Sequence, residues 1–389
     1  MLIVHAEIHT MAGREIHNGT IRVQRGRIQT VGRTALKPRP GEQILDVAGA
    51  GVYPGFVDAH THLGMWEDAL TFEGDDGNEE TDPVTPQLRA VDAVNPMDRC
   101  FSDALGAGVT TVVTGPGSAN PIGGQMAAVK TYGSRMDDMI VKAPVAIKMA
   151  LGENPKSVYH GRNETPSTRM ATAALIREEL LKAKRYMEDT ERAKTDKDFD
   201  PPEFDMKCAA LVPALKGDIE VHFHAHRADD IFTAIRIAKE FHLNYVIVHG
   251  TEGHLIAKNL KREGARVLSG PFLCDRSKPE LRNMTPKTPG ILAKSGVLTA
   301  IVTDHPVIPL QYLPVCAALA VREGMLPADA LKAITINPAK ICGIDDRVGS
   351  IQAGKDADLV VFDTDPLSLT AKPRYVIAGG ELVESRDEP

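Results

Sequence analysis

The sequence predicts an α/β fold, a (β/α)8 TIM barrel with a small composite β-sandwich formed from both chain ends, and three observations carry that expectation. The middle of the chain alternates short apolar strands with helical periodicity; both ends carry alternating runs broken by turn residues; and 389 residues hold one barrel of roughly 250 residues plus a smaller domain. Leu2-Ile3-Val4, Gly19 to Val23 and Arg27 to Gly32 read as small antiparallel strands, as do Gly349 to Asp363 and the run from Tyr375. The two ends are therefore expected to pair, residues 1–54 with 345–389, around a barrel of residues 55–344. Candidate barrel strands are Gly55 to Ala59, Thr110 to Val113, Val145 to Leu151, Ile219 to Phe223, Tyr245 to Val248, Arg266 to Ser269 and Thr299 to Val302, with an eighth near Gln125 to Thr131. Ile231, Ala234, Ile235, Ala238 and Phe241 recur at helical spacing and predict one buried stripe. A second helix is expected from Pro327 through Ala339, with proline near its start, where a missing N–H costs nothing.

Composition narrows the class of partner. Hydrophobic residues at 43% and charged residues at 25% are ordinary for a globular enzyme. A net charge of -7 offers no basic footprint for nucleic acid or an anionic membrane surface, so a small-molecule substrate is expected. Five scattered cysteines, none in a C-x-x-C pair, do not read as a disulfide framework. With no long apolar stretch and no signal-like start, the expectation is a cytoplasmic protein, and a homo-oligomer.

Two stretches look inserted. Residues 66–98 are rich in Asp and Glu without a period and read as a solvated surface loop, with a substrate lid as the alternative. Residues 182–206 are densely charged and broken by Pro201-Pro202, which predicts an external helix and a connector.

The chemistry concentrates at strand ends. In Pro54-Gly-Phe-Val-Asp-Ala-His60-Thr-His62-Leu, strand alternation puts His60 and His62 on one side, where two imidazoles can converge on a metal. Glu220-Val-His-Phe-His224-Ala-His226 and Tyr245-Val-Ile-Val-His249-Gly end two later strands, and Thr299-Ala-Ile-Val-Thr-Asp304-His305 ends the last. Each alone could be a hydrogen-bonded histidine or a capping aspartate. Together they are what a site at the carboxyl-terminal face of a barrel requires, because those strand ends converge.

These segments, with His224 to Asp230, His249-Gly-Thr-Glu-Gly, Thr335-Ile-Asn-Pro-Ala-Lys340 and Gly349-Ser-Ile-Gln-Ala-Gly-Lys-Asp-Ala-Asp-Leu, resemble the amidohydrolase superfamily, in its imidazolonepropionase-like branch. The resemblance covers nearly the whole chain. It implies one or two divalent ions, with Zn²⁺ expected, that activate water to hydrolyse a C–N bond of an amide or cyclic amide. It further implies that His60, His62 and Asp304 hold a first metal and that His224 and His249 hold a second if one binds. In mononuclear relatives His224 joins the first set and His249 contacts substrate or water. A bridging ligand is expected from Glu153, which falls where its strand should end, or from a carboxylated Lys148 several residues deeper.

Asp304 is the expected proton shuttle, since a carboxylate touching the attacking water can pass its proton to the leaving nitrogen. His226, His249 or His305 would steady the developing oxyanion. Arg227, Asp229, His254, Arg276, Lys278 and Arg282 follow strands on the same face. Arg227 and Arg276 lead as grips for a substrate carboxylate, with His305 a further substrate contact. Glu252 keeps open an alternative, deamination of a nitrogen heterocycle, because that reaction needs an acid to protonate a ring nitrogen. Gly115 to Gly124 lacks the lysine and spacing of a phosphate loop and reads as a loop at the barrel mouth.

Overall fold

In the computed structural model, which describes residues 1–68 and 71–385, eight strands form a nearly closed barrel in the order of the chain. They are β1 (Phe56–Thr61), β2 (Val109–Thr114), β3 (Ile122–Lys130), β4 (Ile140–Ala150), β5 (Glu220–Ala225), β6 (Tyr245–His249), β7 (Arg266–Ser269) and β8 (Leu298–Ile301). All neighbours pair in parallel except at β3, which runs antiparallel to both β2 and β4. The barrel therefore departs from eight βα repeats at the strand expected near Gln125 to Thr131. The reason lies in the connection: only Gly115 to Pro121 separate β2 from β3. A parallel crossover needs a dozen or more residues, so the short link forces a hairpin.

β1 and β8 close the ring without a regular ladder. The buried Asp58 carboxylate does the work instead: Oδ2 accepts from the Thr303 amide (2.9 Å) and hydroxyl (2.7 Å), while Oδ1 accepts from the His60 amide (3.1 Å). The His62 amide also donates to the His305 carbonyl at 2.8 Å. Val246, Val248, Leu268, Ala300, Met126 and Ala146 share one buried cluster formed by several strands. Ile247, Val267, Val221 and Phe223 pack outward against the surrounding helices.

The helix Ala228–Glu240 buries Ile231, Ala234, Ile235 and Ala238 as the spacing predicts, and Phe241 closes its end. The long charged segment forms the helix Arg169–Thr195, whose buried residues stop at Ala183. The helix expected from Pro327 through Ala339 is instead two, Pro327–Ala333 and Ile336–Ile341. Pro338 cannot donate to the carbonyl of Ile334, four residues earlier, and that freed carbonyl accepts the Val57 amide at 2.8 Å. No helix among the described residues is long and apolar enough to cross a membrane.

Both chain ends join one sheet around Ile3, Ile8, Ile21, Val52, Leu359, Val361 and Ile377. Gly51–Pro54 pairs antiparallel with Leu359–Phe362, so the strand that enters β1 is held by the far end of the chain. The Lys-Asp-Ala-Asp segment locks sandwich to barrel. The Lys130 ammonium at the end of β3 pairs with Asp358 and lies 3.0 Å from Asp356; Tyr132 donates to Asp358 and Arg347 to Asp356. Lys130, Asp356 and Asp358 are all buried. Removing one partner of a buried ion pair strands the remaining charge, at a cost of about 3–5 kcal/mol. Lys130→Met is expected to lower the unfolding free energy by about that amount in a denaturant titration, and Asp358→Asn on that background should restore part of it. A loss below about 1 kcal/mol, the range of an exposed pair, would show that this network does not brace the two parts.

Candidate metal centre

Two groups of ligand side chains converge at the carboxyl ends of the strands: His60, His62 and Asp304 in one, His224, His226 and His249 in the other. Within each group the ligand atoms lie within 4.8 Å of one another. The groups adjoin, since the His249 ring is 5.3 Å from that of His60 and 4.5 Å from those of His224 and His226. Asp304 Oδ1 lies 3.2 Å from His60 Nε2 and 3.3 Å from His62 Nε2.

The rings are aimed by hydrogen bonds on their other nitrogen. His62 Nδ1 meets the Gly115 carbonyl at 2.6 Å and His249 Nδ1 the Gly270 carbonyl at 2.7 Å. A carbonyl can only accept, so the ring proton sits on Nδ1 and Nε2 presents a lone pair to the site. His224 Nδ1 pairs with the Ser118 hydroxyl (2.9 Å) and His226 Nδ1 with that of Thr251 (2.7 Å). Both nitrogens of His60 and Nε2 of His224 are buried without a hydrogen-bond partner. Buried polar atoms are normally satisfied, so a convergent set of free imidazole nitrogens beside a carboxylate fits a divalent cation.

Burial pushes the His249 imidazole down to about 4 and holds His60, His224 and His226 well below their usual range. They are neutral near pH 7, as metal ligation demands. Burial alone would raise the Asp304 carboxyl, but His249, His60 and His62 outweigh it and keep it well below the ordinary range.

Backbone geometry brings two of these residues into line. Val246 and Val248 face the inner cluster and Ile247 the helices, so strict alternation would send His249 outward. Its φ of +72° turns it back toward the other rings, and Asp304 has φ +56°. Non-glycine residues rarely adopt such angles, and the strain they cost clusters at functional sites.

The bridging position is where the structure departs most from the sequence expectation. β4 ends at Ala150, Gly152 turns the chain at φ +84°, and Glu153 begins the helix Glu153–Gly161. The Glu153 carboxylate joins neither ligand group; its amide donates to Glu280 Oε2 at 3.1 Å. Lys148 pairs in register with His222, two residues before His224, and its flexible stem buries the ammonium completely. The Lys148 Nζ donates to the Ser118 hydroxyl (2.9 Å) and to the carbonyls of Gly117 (3.2 Å) and Pro116 (3.3 Å). Burial brings its pKa down to about 8, partly opposed by Asp304, and its charge acts on His60, His224 and His249.

A cavity of about 470 Å³ opens over the groups, lined by His62, His224, His226, His249, Asp304, Ser118, Trp66, Asn78, Glu80 and Lys278 among others. The acidic insertion thus contributes Trp66, Asn78 and Glu80 to the cavity wall, and Trp66 meets the His62 ring edge-on at 4.5 Å. Several proposed substrate contacts lie elsewhere. Arg227 is spent on Asp229 (2.9 and 2.6 Å), and the Arg276 guanidinium donates to the Met284 carbonyl at 2.9 Å; neither lines the cavity. His254 is held by the Thr251 carbonyl and Thr288, and Arg282 is exposed near Glu252. His305 is buried beside the first group, with a pKa that burial lowers to about 4, but it does not line the cavity. Glu252 accepts from the Ala228 amide at the start of its helix and from Asn283, which ties it to the scaffold. Sequence reasoning missed Ser118, Thr251 and Glu280, whose spacing carries no periodic signal, and His222, which shares the two-residue spacing of His224 and His226 and is buried with both ring nitrogens unpartnered.

Residues 52–383 match the profile of the amidohydrolase family. The chain belongs to that family. The chain is similar to the amidohydrolase tasK of Hapsidospora irregularis, 31% identical over 387 residues, or 93% of this chain and 39% of that protein. The chain thus spans well under half the length of that relative. It is 27% identical to the imidazolonepropionase of Symbiobacterium thermophilum over 410 residues, covering 94% of this chain and 91% of that one. The crystal structure of an amidohydrolase from Thermotoga maritima MSB8 matches with a TM-score of 0.95 and 44% identity, over 99% of this chain and 100% of that chain. Because Arg227 is paired locally and outside the cavity, Arg227→Ala is expected to change stability by less than about 1 kcal/mol and to leave KM unaltered. A large rise in KM would return Arg227 to the substrate site.

Proposed function

We propose that this chain is a metal-dependent amidohydrolase that cleaves a C–N bond, in an amide or cyclic amide, of a small molecule. The observation that carries this reading is the pair of adjoining ligand groups, with free imidazole nitrogens and an ionised carboxylate, at the floor of one cavity. His60, His62 and Asp304 would hold one divalent ion, and His224, His226 and His249 a second, with Zn²⁺ suited to such nitrogen-rich sets. When bound, such ions polarise a carbonyl and bring the pKa of a coordinated water to about 7.

The chain's own residues supply the rest. Asp304 faces the cavity as an ionised carboxylate, ready to take a proton from the attacking water. The same carboxylate would then pass that proton to the leaving nitrogen. His226 and His249 stack at 4.5 Å with 13° between their planes and wall the side where a carbonyl oxygen would gain charge. Trp66, Gly117, Ser118 and Ala119 line the cavity beside them.

In its carboxylated form Lys148 would add an anionic oxygen ligand beside the two groups. The lowered pKa makes neutral amine available to add CO₂ near neutrality, and Ser118, to which Lys148 donates, also meets His224. Lys148→Ala is expected to lose bound metal, with added bicarbonate affecting loading only when Lys148 is present, whereas Glu153→Gln keeps the full complement. Elemental analysis of protein prepared without chelator reads both, and metal loss in the Glu153 variant alone would reverse the assignment.

Asp304→Asn is expected to stay folded and keep part of its metal while kcat falls about 10²- to 10⁴-fold, with KM less affected. A panel of N-acyl amino acids, dipeptides and cyclic amides, scored for new carboxylate against released ammonia, supplies the substrate and separates amide hydrolysis from deamination. A variant with a lower melting temperature but near-normal kcat would remove Asp304 from the proton path.

A further inference from the structure

The turn after β7 carries a carboxylate that the chemistry above leaves unused. Glu280 lies in the short turn Pro279–Leu281 and is 1% exposed. Its Oε2 accepts the Glu153 amide, but its Oε1 has no hydrogen-bond partner and lies 3.6 Å from His226 Nε2 and 3.9 Å from His224 Nε2. His224 Nε2 is itself buried and unpartnered. The Lys278 ammonium approaches Oε1 to 2.7 Å as an ion pair, yet its directed hydrogen bond goes to Asn154 Oδ1, also at 2.7 Å. Glu280 Oε1 thus faces the Nε2 atoms of His224 and His226 with a hydrogen bond to neither, and its charge is met from the other side by Lys278. Two ligands at about 2.1 Å from a tetrahedral zinc lie about 3.4 Å apart, close to the separations seen here.

We propose that Glu280 is a carboxylate ligand of the second ion, adding one oxygen to the imidazoles of His224, His226 and His249. This inference rests on the reading that the chain holds two divalent ions. Glu280 brings a negative charge to a group that otherwise consists of neutral rings, which strengthens retention of a dication there and sets this ion apart from the one beside Asp304. Lys278 stays in ion-pair contact with the same carboxylate, because an oxygen with two lone pairs can serve both a cation and a metal. The site is built from two strand ends and a turn: His224 lies in β5 and His226 just follows it, His249 ends β6, and Glu280 reaches back from the segment after β7.

The test is a titration of Co²⁺ into full-length protein stripped with chelator, followed by calorimetry and by the visible absorption of the bound ion. Wild type is expected to take two equivalents. Glu280→Gln should keep one equivalent and bind the second more than about 100-fold more weakly, a larger loss than residues that only support ligands produce. Glu280→Asp, which keeps the charge but draws the oxygen back, should also weaken the second equivalent and shift its spectrum, while Lys278→Met should retain both. Two equivalents at wild-type affinity in both Glu280 variants would overturn the inference. So would parallel loss in Lys278→Met and Glu280→Gln, which would mean that the ion pair merely orders the turn. One equivalent in wild type would remove this inference and leave the first site standing; none at all would remove the two-metal reading with it.

Discussion

Desolvation of imidazole is the constraint on which the rest of this molecule depends. A histidine sealed at the mouth of a barrel is neutral, because burial penalises its charged form, and a neutral ring offers one donor and one acceptor. His249 spends the donor on the Gly270 carbonyl and so is left with a single lone pair in a known direction, and the Gly115 carbonyl fixes the His62 ring through Nδ1. Leaving such atoms unsatisfied costs about 1–3 kcal/mol apiece, so convergence of several on one point is tolerable only where a common acceptor of lone pairs belongs. The loops that follow β2 and β7 therefore orient these rings through their backbone carbonyls.

That convergence is bought with backbone strain and repaid by barrel closure. His249 and Asp304 both hold positive φ angles at the ends of their strands. Their neighbours keep them there: Asp58 gathers the Thr303 amide and hydroxyl just before Asp304, and burial raises its own pKa to about 7. The ring is thus sealed beside the ligands by a side chain rather than by a ladder, and one carboxylate joins the first strand to the last at the level of the chemistry.

The remaining architecture supports this mouth. Reversal of β3 leaves a short link between β2 and β3 that crosses the site, with Gly117 and Ser118 on the cavity wall and on Lys148. Lys130, at the other end of the same strand, is gripped by Asp356 and Asp358 from the closing segment of the chain. One hairpin strand therefore carries the cavity wall at one end and the brace to the sandwich at the other. The acidic insertion is both surface and wall: Trp66, Asn78 and Glu80 reach the cavity, while Phe72 is exposed.

Local pattern was enough for what depends on neighbours in sequence. Alternation placed His60 with His62, apolar runs marked the strands, the 3.6-residue stripe marked the helix Ala228–Glu240, and alternating end segments foretold the sandwich; His226, expected beside an oxyanion, joins His224 and His249 only in the folded chain. What required tertiary structure depends on where a chain turns and how far a side chain reaches. Glu153 stood at the expected strand end by count, but Gly152 bends the chain and a helix starts there, whereas Lys148, deeper by count, is buried and donates to Ser118, whose hydroxyl also meets His224. Arg227 and Arg276 had the right charge and position in sequence, yet each found a partner nearer than any substrate. The antiparallel β3, the inward turn of His249 and the approach of Glu280 to His226 leave no periodic trace, because they follow from link length, a single backbone angle and a contact across 54 residues of chain between positions 226 and 280.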